Sequence, residues 1–345
     1  MKPLRLIADG DQQKVKKHHH KKKHVPLSFY QLFLDRVEHF STEAQKVLGD
    51  CDSQAIHQTR VYSRRTQTAL EVLPDELGEQ VELLRKQLKR TRRAMNGIRD
   101  SDVFLEIIEK RLGSRKNRGP YEMLRDYFED RRKRATDKMH DRLQELSLQE
   151  FPSRAIAAIT DPDASLKVDG TSLRVELSSA ARDDRAIEQS IKKVTDHWHH
   201  VDSLIAEPKT FSDGEELHGL RIAIKHLRYM IELISQMKAS QSRSLVAYLK
   251  SMQDAIGEWH DLDELEITIT KFIGHPSFVR KELETSRILH GLILQLRNRK
   301  GRILAATEPK LKSDRMSTLM KKFLHQMEPS NNHRKEHSVD SAAAG

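Results

Sequence analysis

The sequence predicts an all-α protein, a tandem duplication of two four-helix bundles in a pseudo-twofold arrangement. Three observations predict it. Apolar residues recur three and four positions apart from Ser28 to about Met327. Strand-like alternation is almost absent. One stretch of the chain also repeats another at a fixed offset of 161 residues. With 345 residues, 37% hydrophobic and 32% charged, the chain suits long solvated helices around a sizeable core.

Residues 1–25 hold eight Lys or Arg and two Asp, including KVKKHHHKKKH (14–24). They read as a disordered basic, His-rich arm that concentrates anions nearby. Residues 26–150 form the first bundle, with helical periodicity over 27–48, 54–73, 77–97, 102–112 and 121–148. Its breaks fall at Pro74 and across Gly113 to Pro120. Residues 151–182, rich in Pro and Asp, read as the linker between bundles. The second bundle, 183–326, repeats the pattern over 183–206, 215–237, 242–259, 262–273 and 278–308. Each copy has the helix count and loop lengths of a four-helix bundle. Residues 327–345 are polar and read as a second disordered tail.

Composition narrows the function classes. No apolar run approaches the roughly 20 residues of a membrane span, and the first residues lack a secretory leader's apolar core. A soluble, cytoplasmic protein without membrane association is expected. The single cysteine, Cys51, excludes a disulfide framework and a cysteine-built zinc site. Net charge is +10, but the basic arm carries +6 of it. The body is nearly balanced, so a polyanion site in it must arise from arrangement.

The repeat shows that arrangement. IHQTRVYSRRTQTALEVL (56–73) aligns with LHGLRIAIKHLRYMIELI (217–234), setting His57 on His218, Arg60 on Arg221, Arg64 on Lys225 and Glu71 on Glu232. The same offset sets Lys89 on Lys250, Asp100 on Asp261 and Asp102 on Asp263. His57, Arg60 and Arg64 share one narrow stripe of an otherwise mostly apolar helix, with Arg65 intruding on the apolar side. His218, Arg221, Lys225 and Arg228, with His226 beside them, repeat it. On the next helix Arg85, Lys89, Arg92, Asn96 and Arg99 share a side, matched by Lys250, Gln253, Gly257 and His260. Arg125 and Arg287 suggest a third stripe.

Helices apolar around most of their circumference belong in the interior, where clustered bases repel one another unless an anion joins them. A mixture of Arg forks, Lys point charges and His donors suits phosphate oxygens. Base-reading modules need aromatic platforms, and aromatics are only 5% of the chain. The expected ligand is therefore a phosphate chain without bases, inorganic polyphosphate, bound without catalysis, with targeting to polyphosphate granules as the expected consequence. All the basic residues just named, from His57 to Arg287, are its candidate contacts. No cofactor or metal is implied.

Two other readings use the same residues. One is a nucleic-acid-binding protein. The other is a metal-dependent phosphohydrolase built on His218, His260 and Asp261. The repeat argues against the latter, because Arg99 stands where the second copy has His260, and arginine is no metal ligand. Asp102 and Asp263 read as N-caps of following helices, and Asp100 and Asp261 as carboxylates holding a stripe arginine. His197, His199 and His200 read as a mixture of surface and core residues.

HxxRVxxRR (His57, Arg60, Val61, Arg64, Arg65), HxxRIxxKHLR (218–228) and the RDxD and HDxD elements (99–102, 260–263) resemble the CHAD family, the conserved histidine α-helical domains. The resemblance covers roughly residues 27–308. It implies a duplicated all-α bundle, basic residues lining a central surface, and binding of inorganic polyphosphate. Some relatives are fused to a triphosphate-processing tunnel domain, for which this sequence has no β-rich segment. The first copy departs from the family pattern at Thr66 and Gln67, where leucine and arginine are typical, while Arg228 keeps the arginine in the second.

Overall fold

The computed structural model describes residues 27–73, 78–112, 118–159, 180–238, 242–276, 278 and 282–327, and it is all-helical. The helices are α1 (Phe29–Gly49), α2 (Ser53–Leu70), α3 (Gly78–Ala94), α4 (Asn96–Leu112), α5 (Arg118–Gln144) and α6 (Phe151–Ile159). They continue with α7 (Ala180–Ala206), α8 (Gly214–Lys238), α9 (Arg243–Ile273), α10 (Leu283–Leu311) and α11 (Asp314–Met327). The basic arm of residues 1–25 and the tail beyond Met327 lie outside the described residues. No described helix is long and apolar enough to cross a membrane.

Local chemistry sets the helix starts. Asp52 caps α2, its carboxylate accepting from the Ala55 amide at 3.0 Å. The start of α1 joins a local capping box, in which the Ser28 amide donates to Gln31 Oε1 at 3.4 Å, to a cap from the other half of the chain. Asp183 of α7 accepts from the Phe29 amide at 3.0 Å and from the Ser28 hydroxyl at 3.1 Å.

The core does not divide as two separate bundles would. One apolar cluster joins Phe33, Phe40, Ile56 and Leu88 of the first half to Val194, Leu220, Ile231 and Met320 of the second. The other joins Phe104, Ile108 and Phe128 of α4 and α5 to Leu265, Ile269, Leu289 and Leu292 of α9 and α10. The cause lies in α2 and α8. α8 buries an apolar surface around most of its girth. α2 buries Thr59, Ser63, Thr66 and Thr68 as well, with their hydroxyls donating to backbone carbonyls. Both must therefore be covered on several sides, where each fully buried large apolar side chain stabilises by about 1.5–3 kcal/mol. The two helices pack against each other and bring their halves into a common interior.

Two boundaries differ from the sequence reading. The expected linker begins as helix α6, whose Phe151, Ala155, Ala158 and Ile159 are buried. Phe151 meets Phe40 of α1 at 4.9 Å between ring centres. Pro152 is tolerated because it sits in the first turn, where an amide has no helical partner anyway. Residues 160–179 of that linker lie outside the described residues. The segments expected at 242–259 and 262–273 are one continuous helix, α9, since no proline interrupts them. Asp102 and Asp263 consequently lie inside helices and are not N-caps. Their carboxylates pair across the interface instead, Asp102 with Arg132 of α5 at 2.6 Å and Asp263 with Lys300 of α10 at 2.5 Å.

Candidate functional site

The stripes of α2 and α8 converge on one cluster, joined by α3, α4 and α9. Three pairs related by the 161-residue offset act on each other there: Arg60 and Arg221 repel each other, Arg64 repels Lys225, and the Asp100 and Asp261 carboxylates feel each other's charge. His57 lies beside Arg99, and in the offset-related position the His218 and His260 rings are 4.4 Å apart.

Few of these cations are neutralised. Among the described residues, no carboxylate lies within 4.0 Å of the charged nitrogens of Arg60, Arg64, Arg92, Arg99, Arg221 or Lys225. Their neighbours are mostly neutral. Arg60 donates to the Arg92 carbonyl at 3.0 Å and to Asn96 Oδ1. Arg92 donates to the Ser63 carbonyl at 3.3 Å and to Gln67. Arg221 Nε is buried without a partner, as is His218 Nδ1. At Gly257 a Cβ would stand 3.5 Å from Arg221 Nε, so α9 presents bare backbone to that guanidinium.

The electrostatic consequence falls on Lys225, Arg60, Arg92 and the neighbouring histidines. Burial first, and then Arg64, Arg221, Arg60 and Arg92, pull the Lys225 amine down to about 6. Arg60 and Arg92 are lowered to about 10, again by burial and then by Arg64. Burial followed by Arg221 and His218 lowers His260 to about 4. His57 and His218 are pushed down by burial and neighbouring guanidiniums. Asp100 and Asp261 are pushed up, because burial outweighs the nearby arginines. They do not clasp a stripe arginine within ion-pair distance, contrary to the sequence reading. Arg60 is oriented by a carbonyl and an amide oxygen instead.

Several predicted contacts lie elsewhere. Arg125 projects from α5 into solvent and pairs with Asp126 at 2.7 Å and Glu129 at 3.7 Å. Arg287, Lys89 and Lys250 are exposed, since each falls on the outward face of its helix. Arg228 is buried but already neutralised. It pairs with Glu232, donates to Gln253 at 3.0 Å and stacks 4.4 Å from the Tyr229 ring centre. Arg65 leans toward Glu232 at 3.7 Å and over Tyr62. Arg85 donates to the Leu70 carbonyl at 3.0 Å, holding the end of α2.

A second polar group adjoins the cluster. His197 of α7 lies 3.5 Å from Glu71, and its ring stands edge-on to His226 at 6.0 Å. These partners hold the Glu71 carboxyl below its usual range despite burial, while burial lowers His226. His199 and His200 are exposed. The sequence reading noted these histidines without their carboxylate. The offset carried the signal, for it sets Arg36 on His197 and Arg65 on His226. Tyr229, which flanks the stripe in the sequence, lies under Arg228 with its ring centre 4.4 Å from that guanidinium. Among the described residues no three His, Cys, Asp or Glu side chains are grouped to hold a metal ion, so His218, His260 and Asp261 do not form the trio that the phosphohydrolase reading needs.

The CHAD domain family model matches residues 31–270. The fold is similar to the crystal structure of the CHAD domain from the plant Ricinus communis, with a TM-score of 0.54 at 18% identity over 84% of this chain and 95% of that one. No curated protein matches the sequence. With the family match spanning well over half of its length, the chain belongs to the CHAD domain family.

Proposed function

We propose that this protein binds inorganic polyphosphate non-enzymatically, and that this binding directs it to polyphosphate-rich bodies such as granules. One observation carries the reading: Lys225 and five arginines from α2, α3, α4 and α8 share a largely buried cluster in which, among the described residues, no carboxylate lies within 4.0 Å of their charged nitrogens. Such a cluster is unfavourable alone and becomes favourable when an anion of high charge density joins it. A phosphate chain supplies several charges in a row, matching donors spread over several helices.

Nucleic acid fits less well. Lys225 is only 7% exposed, so a bulky duplex would not reach the strongest repulsion. A single strand would need an open aromatic face for stacking, whereas Tyr229 is 4% exposed and covered by Arg228.

The test is competition together with a double variant. Duplex DNA should fail to displace long-chain polyphosphate at equal phosphate concentration. Arg60→Ala with Arg221→Ala should weaken polyphosphate binding by about 100-fold or more, because each hydrogen bond to a charged group contributes about 1.5–3 kcal/mol. Helicity should be unchanged. Displacement by DNA, or normal affinity in a folded double variant, would overturn the proposal.

A further inference from the structure

Lys225 differs from the other cluster members in one chemical respect. A guanidinium keeps its proton at any physiological pH, whereas an amine can lose it and become a nucleophile. The geometry drives that loss. Arg60 and Arg64 reach Lys225 from α2, Arg92 from α3 and Arg221 from one turn earlier on α8. His218 and His226 feel it from α8 itself and His260 from α9. The residue is 7% exposed. Among the described residues, neither an acceptor within hydrogen-bond distance nor a carboxylate within 4.0 Å meets its amine. Burial and the four guanidiniums together lower the amine to about 6, so near neutral pH it stands mostly unprotonated.

We infer that Lys225 is a carbamylation site, at which the amine takes up carbon dioxide and the resulting carbamate is held by Arg60, Arg64, Arg92 and Arg221. The nitrogen lone pair forms the new N–C bond, and one C=O electron pair of CO2 moves onto oxygen. The nitrogen then releases one proton to solvent. The product is R–NH–COO⁻, and nothing is oxidised or reduced. CO2 is small and uncharged, so its entry into a half-buried site carries no charge-desolvation penalty. The product supplies the anion that four guanidiniums otherwise lack, with two oxygens for their planar forks. The carbamate then occupies the same donors as a phosphate chain, and by linkage each ligand weakens the other.

The inference rests on the cluster invoked above, and the experiment separates the two. The full chain is equilibrated with 13C-labelled bicarbonate near neutral pH, examined by 13C NMR, and trapped with a trialkyloxonium salt before peptide mass analysis. The expected result is a carbamate resonance and a trapped adduct on the peptide containing Lys225. Both should vanish in Lys225→Arg, which keeps the positive charge, and persist in Lys250→Arg. Tripolyphosphate should reduce the signal, and CO2 should weaken polyphosphate binding by about fivefold or more. No adduct on Lys225, or a signal surviving Lys225→Arg, would overturn the inference. Polyphosphate binding by the unsubstituted chain in CO2-free buffer decides the earlier proposal independently. Binding without an adduct sinks only the carbamate, and an adduct without binding sinks only the polyphosphate reading.

Discussion

The two halves of the chain make the same contacts with different charges. In the first, Arg92 of α3 donates to Gln67 of α2; in the second, Arg228 of α8 donates to Gln253 of α9. These are offset-related positions with donor and acceptor exchanged. The exchange has a consequence. Arg92 has no carboxylate within 4.0 Å and joins the cluster, whereas Arg228 has Glu232 one turn away and is neutralised. A second exchange runs alongside. Arg36 and Arg65 accompany Glu232 at one edge, and His197 and His226 accompany Glu71 at the other. Arg64 faces Lys225, and Arg99 stands where the other half has His260. At these two pairs the first half therefore supplies the permanent charge and the second the charge that titrates, although His57 titrates in the first half and Arg221 is fixed in the second. The helix geometry tolerates either, because burial and crossing geometry decide the packing while the stripe decides the charge.

The largest expected effect separates the exchanged arginines. Arg228→Met should destabilise the fold by about 1–3 kcal/mol, because it removes the hydrogen-bonded partner of the Glu232 carboxylate and leaves it only Arg65, at 3.7 Å, and Arg36. Polyphosphate affinity should change little. Arg92→Met should do the reverse, leaving stability unchanged or raised while weakening binding by about tenfold, since it removes a repelling charge that only the ligand satisfies. Denaturant unfolding and titration with polyphosphate on both variants measure the difference. Matching behaviour would dissolve the distinction between the halves.

The same logic marks what the sequence could and could not convey. The helices and the stripes were legible because apolar periodicity and the offset are local or translational signals. His57, Arg60, Arg64, Arg92, Arg99, Arg221 and Lys225 do converge. Arg125 and Arg287 illustrate the failure: a base on a helix reveals its face but not what that face meets, and theirs meets solvent. Arg228 failed differently, since its i+4 glutamate was visible in the sequence but the burial that makes the pair persist was not. The shared core was illegible as well. Which amphipathic faces cover one another is a long-range fact, and α2 and α8 choose each other across the midpoint of the chain.

Next in size is the response of binding to pH. In the free protein Lys225 lies at about 6 and His57, His218 and His226 lie below the usual histidine range. A bound polyanion favours their charged forms, so binding takes up protons and tightens as pH falls from 8 toward 6. Each proton taken up contributes at most about tenfold per pH unit. Lys225→Arg should make the profile shallower, and Arg64→Lys should steepen it by adding a titratable group beside His57 in the first half. Isothermal titration in buffers of differing ionisation enthalpy counts the protons directly, and a flat profile in the parent would break the contrast between fixed and titrating halves.

The smallest effect concerns the ligand-free fold, and its sign follows from the same amine. Lys225 titrates near 10.4 in an unfolded chain and at about 6 when folded. Between those values the unfolded state holds more protons, so stability rises with pH across the window, by at most about 1.4 kcal/mol per unit. Below about 6 the cost of burying the charge is complete. The Glu71 carboxyl, held low by His197 and His226, acts in the same direction at more acid pH, losing its contribution as it protonates. Thermal unfolding at pH 6, 7 and 8 should therefore give a rising midpoint, with Lys225→Met rising less, through the lowered histidines alone, and more stable than the parent at pH 6. Saturating polyphosphate should shrink the parent's slope, because the anion makes the charged amine acceptable in the fold. A parent midpoint that falls from pH 6 to 8 would mean that the cluster is already neutralised without a ligand.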